Sequence, residues 1–64
     1  MQAPATRFFG IRAGDPCRAL YRGDGHFYAA TVLREQDGYF LVEFLGCDGA
    51  KDWLPADPTH INPP

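Results

Sequence analysis

In the stretch "TVLREQDGYFLVEF", residues 31 to 44, the dipeptide Asp37-Gly38 stands between two runs rich in apolar residues. Asp-Gly is among the pairs that most readily adopt the positive φ angles of a two-residue hairpin turn. Beyond it the sequence alternates, with Phe40, Val42 and Phe44 on one face and Tyr39, Leu41 and Glu43 on the other. Period-two alternation belongs to a strand with one buried face. A turn at Asp37-Gly38 therefore commits the middle of the chain to antiparallel sheet.

The flanking sequence fits the same architecture. "CRALY" places Cys17, Ala19 and Tyr21 on one side, and "YAATVL" groups Tyr28, Ala30 and Val32. "KDWLP" reads as a further short strand stopped by Pro55, whose nitrogen has no hydrogen to give a ladder. "ADPTHI" predicts a single turn leading to a last apolar contact at Ile61. No run has the three-and-four spacing of an amphipathic helix. A flat sheet this small leaves its edges and one face open, whereas curling into a barrel hides them. The expectation is an all-β fold, a small five-stranded SH3-like barrel over 14–62 behind a flexible N-terminal arm, 1–13.

At 64 residues the chain is one domain long, yet 45% apolar residues and nine aromatics (one Trp, three Tyr, five Phe) supply a core. An active-site cleft with its supporting shell rarely fits in such a length, and no nucleophile–base pair is visible, so an enzyme is not expected. Charge is uneven. Arg7 and Arg12 make the arm basic, while the rest carries all eight acids against Arg18, Arg22, Arg34 and Lys51. An acidic body with no cationic run argues against nucleic acid and suits a basic peptide.

Cys17 and Cys47 share no short spacing with each other or with His26 and His60, so free thiols are expected, with no metal and no cofactor. No apolar run approaches the ~20 residues that cross a membrane. "RGD" at 22–24 reads as a tight turn rather than an adhesion motif, with His26 as a solvated turn residue.

The aromatic residues carry the functional question. Tyr21 ends one predicted strand, Tyr28 opens the next, and Phe44 ends the third. Joined by a short turn, the two tyrosines lie at one end of the sheet, with the small Ala19 and Ala30 deeper on the same face. Three rings from three strands would converge at one mouth, either as pocket walls or as ordinary packing.

In order along the chain, "AGDPCRALYRGDGHFYAATVL", "YFLVEFLG" and "DWLPADPTHI" resemble a Tudor domain, within the wider group that includes chromo barrels. The first half is similar to survival motor neuron-type Tudor domains, and the "DWLP" ending to the chromo-barrel form. The resemblance implies a five-stranded barrel that reads methylated lysine or arginine on histone or RNA-processing protein tails. It implies a nuclear location and a place within a larger protein or complex. It implies an aromatic cage of Tyr21, Tyr28 and Phe44, with Asp48 in the loop that closes the pocket. Where many relatives carry a further aromatic this chain has Cys47, which leaves three rings unless Trp53 joins them. A barrel of the same fold that docks a partner without a functional cage is the alternative.

Overall fold

The computed structural model describes residues 10–64. Five strands follow one another: β1 (Pro16–Tyr21), β2 (His26–Gln36), β3 (Tyr39–Phe44), β4 (Lys51–Pro55) and β5 (Ile61–Asn62). They form one sheet in the order β4-β3-β2-β1-β5, with antiparallel neighbours throughout. The hairpin at Asp37-Gly38 is present, and its two residues have φ of 53° and 82°. Both angles are left-handed, as a type I′ turn requires. Gly38→Ala is therefore expected to cost about 1–2 kcal/mol in chemical denaturation, the strain of a Cβ in left-handed backbone.

The alternation becomes a core on one face. Cys17, Ala19, Ala30, Val32, Phe40, Val42, Phe44, Leu54 and Ile61 are all buried. Registers explain the grouping, since directly opposed residues share a face. Cys17 lies opposite Ala30, Ala30 opposite Phe44, Val32 opposite Val42, and Phe40 opposite Leu54.

β2 is the longest strand, at 11 residues. Its first half pairs with β1 and its second half with β3. Within the part paired with β3 the register slips: Val32 opposes Val42, but Arg34 opposes Leu41, which leaves Leu33 as the extra residue of a bulge. A bulge bends its strand and increases the local twist. The slip also reverses alternation, so Glu35 lies opposite the buried Phe40.

Glu35 holds the approach to β1. Its Oε2 accepts hydrogen bonds from the Ala13 amide (2.8 Å) and Arg12 Nε (3.3 Å). Ile11 is only 5% exposed and joins the core, so packing begins inside the segment expected to be an arm. The rest of that expected arm, residues 1–9, lies outside the described residues.

The sheet curls on itself. Tyr21 of β1 touches Phe44 of β3 although β2 runs between their strands. Arg22, just beyond β1, reaches Asp52 on β4, three places away in the sheet. β4 and β5 remain its two edges.

Candidate functional site

The curl brings together the three rings singled out in the sequence. The Tyr21 ring stands edge-on to Tyr28, with centroids 6.1 Å apart and planes at 84°. It also stands edge-on to Phe44, at 5.2 Å and 86°. Perpendicular contacts of this kind set the positive edge of one ring against the negative face of another. The rings differ in access to water. Tyr28 is 39% exposed, Tyr21 is half-buried, and Phe44 is 2% exposed. Phe44 is thus the floor beneath Tyr21 rather than a third open wall, because its inward position on β3 lies opposite Ala30 in the core.

The turn between β1 and β2 shapes the site. Its chain doubles back through hydrogen bonds from the amides of Asp24 and Gly25 to the Tyr21 carbonyl. A Cβ on Gly23 would lie 2.7 Å from Tyr21 Cε2. Glycine is required there so that the ring can lie over the turn. Gly23→Ala displaces the Tyr21 ring, and because that ring is packed on Phe44 the expected cost is about 1–3 kcal/mol. Ring-proton shifts of Tyr21 and Phe44, measured beside thermal stability, check this.

Asp24, whose only signal in the sequence is turn chemistry, stands at the rings. Its Oδ1 accepts the His26 amide hydrogen at 2.9 Å, and its Oδ2 accepts the Tyr28 hydroxyl hydrogen at 2.6 Å. Aspartate two residues before a turn amide is a common arrangement, but the bond to Tyr28 appears only once β2 is in place. The Tyr28 hydroxyl, followed by the His26 amide, holds the Asp24 carboxyl below the usual carboxylate range. The same bond is the main cause of a raised phenol pKa at Tyr28, with smaller contributions from burial and from nearby Cys47 and Tyr21.

The signs set two pH limits. Asp24 is depressed in the folded state, so its contribution is complete above the ordinary carboxylate value of about 4 and is lost as pH falls through the folded value. Tyr28 is raised, so its contribution is complete below about 10 and is lost as pH rises through the folded value. NMR titration should therefore find Asp24 titrating below a free aspartate and Tyr28 above a free tyrosine. Tyr28→Phe should return Asp24 toward the ordinary value.

Arg22 and Asp52 form a two-pronged ion pair beside the rings, at 3.0 and 2.8 Å. Thirty residues separate the partners, so no local pattern indicates it. The pair ties the turn after β1 to β4. It also engages one charged end of the Arg22-Gly23-Asp24 tripeptide, as Tyr28 engages the other.

The remaining rim candidates fall differently. Cys47 is half-buried and packs against the core cluster. Cys17 is buried, which pushes its thiol up to about 11, and both thiols are free. Asp48 is exposed with φ 54°, followed by Gly49 at 75°, in a turn closed from the Ala50 amide to the Cys47 carbonyl. Its observed role is turn formation. Trp53 does not join the rings: it lies opposite Leu41, whereas Leu54 opposes Phe40 and faces the core. Strand alternation thus puts Trp53 on the outer face, 39% exposed.

Among the described residues no group of three or more His, Cys, Asp or Glu side chains is placed to hold a metal ion. Nor, among the described residues, is any helix long and apolar enough to cross a membrane. Comparisons with protein-family models, with curated proteins and with solved structures find no match in any of the three.

Proposed function

We propose that the curled sheet closes as a Tudor-type barrel and reads methylated lysine or arginine in a basic protein tail, as a module of a nuclear protein or complex. The observation that carries this reading is the meeting of Tyr21, Tyr28 and Phe44 from three strands, with Tyr28 open to water. A methylated ammonium keeps its charge while it loses N–H donors and gains apolar surface. It therefore prefers aromatic faces to bulk water more than an unmodified lysine does. Each ring contact contributes about 0.5–2 kcal/mol, depending on desolvation.

Asp24 supports the same chemistry. Donating a hydrogen bond to a carboxylate enriches the Tyr28 ring in electron density, and the carboxylate adds attraction for a cation at the rim. With one exposed ring, one half-buried ring and a buried floor, affinity in the range of roughly 10 μM to 1 mM is expected once the ordering of a peptide is counted.

The burial of Phe44 favours a second reading, a docking barrel of the same fold with no working cage. Calorimetry with mono-, di- and trimethyllysine and methylarginine peptides, each beside its unmodified control, separates the two. The reader binds only the methylated forms. Equal binding of modified and unmodified peptides, or binding of neither, excludes it.

A further inference from the structure

The outer face of the sheet carries two further exposed aromatic side chains, apart from the ring cluster. On this face Tyr39 lies between Gln36 and Pro55, and Trp53 lies beside Leu41 in the next row. Tyr39 is 47% exposed and Trp53 39%, high values for side chains of this size within a sheet. A shallow open concavity of about 250 Å³ lies among Gln36, Asp37, Tyr39 and Trp53.

We propose that this concavity binds an extended proline-containing segment of a partner protein with a basic residue at one end. Tyr39 and Trp53 occupy diagonal positions on neighbouring strands, which places their Cα atoms about 7–8 Å apart. Both line the concavity together with Gln36 and Asp37. A polyproline II helix has three residues per turn and rises about 3.1 Å per residue, so prolines three apart project from one side about 9 Å apart. Such a segment is already extended and loses little freedom on binding. Its carbonyls make no internal hydrogen bonds, and the Tyr39 hydroxyl, the Trp53 indole N–H and the Gln36 amide are donors of the kind they require.

Charge selects both the ligand and its direction. Asp37 is exposed in the hairpin turn and enters none of the ion pairs among the described residues. Arg34 stands in the other row, opposite Leu41. The basic residue of the peptide therefore lies at the Asp37 end. Nucleic acid is a poor fit, because bases would stack on the rings but the nearby carboxylate repels phosphate.

Trp53 is the single tryptophan of the chain and lies in this site, so its fluorescence reports on it alone. The full chain is titrated with a short amidated peptide that carries an N-terminal arginine and the spacing Pro-x-x-Pro. The expected result is a saturable shift of Trp53 emission to shorter wavelength. Tyr39→Ala should weaken binding at least about tenfold. Asp37→Asn, which keeps a residue tolerant of left-handed backbone, should weaken it about threefold and reduce its salt dependence. Tyr28→Ala should leave it unchanged, which separates this site from the proposed methyl-reading one. Thermal melts confirm that each variant is folded. No shift up to roughly 1 mM peptide, in the weakest binding range, overturns the proposal. Equal binding of a control with alanine for proline, or a response only to oligouridylate or cellotriose, overturns it as well.

Discussion

Phe40→Ala unfolds the domain. Phe40 is fully buried, lies opposite Leu54 on β4 and Glu35 on β2, and is among the largest side chains of the core. Truncating a buried phenylalanine costs about 3–5 kcal/mol, through lost transfer energy and the cavity left behind. A core in a domain of this length rarely supplies more than about 3–5 kcal/mol of net stability. The two quantities are of the same size, so the variant has nothing left to hold it folded. Circular dichroism at room temperature should show loss of the sheet. Phe40→Leu, which leaves a smaller cavity, should remain folded with a lower denaturation midpoint. A Phe40→Ala protein that melts cooperatively near the wild-type temperature would show that the core does not depend on this ring.

Tyr28→Ala has its large effect on binding instead. Its side chain is 39% exposed and stands at the open end of the sheet, so folding relies on it little. Removing it takes away the exposed ring of the cluster and the partner of Asp24. One cation–π contact of up to about 2 kcal/mol corresponds to a factor of roughly ten to thirty in affinity. The expected result is loss of measurable binding to methylated peptide, with stability changed by less than about 1 kcal/mol. Tyr21→Ala is a less clean probe, because that ring also covers Phe44. Unchanged affinity of Tyr28→Ala would move the binding surface elsewhere.

Much of the fold is legible in the sequence because its strands are bounded by strong turn residues and alternate with a period of two. Asp37-Gly38 and the face holding Phe40, Val42 and Phe44 follow directly from that pattern. The bulge at Leu33 does not, since a one-residue slip inside a continuous strand leaves no turn residue to mark it. Nor does the burial of Ile11, which precedes the first alternating run and still joins the core cluster.

The same distinction applies to the site. The convergence of Tyr21, Tyr28 and Phe44 could be read from strand ends joined by a short turn. Depth could not, and Phe44 proves to be covered. The outward direction of Trp53 depends on pairing with Leu41, which a five-residue strand with apolar residues on both faces does not specify. The bonds from Tyr28 to Asp24 and from Arg22 to Asp52 arise from tertiary proximity and have no local signature.

The most direct test of the central claim is an NMR titration of isotope-labelled protein with a trimethyllysine peptide and its unmodified twin. If the tyrosines wall a methyl-reading pocket, shifts will concentrate at Tyr21, Asp24, Tyr28 and Phe44 and will appear only with the methylated peptide. If neither peptide moves those resonances up to roughly 1 mM, the weakest binding worth naming, the rings are packing and the docking-barrel reading replaces the reader.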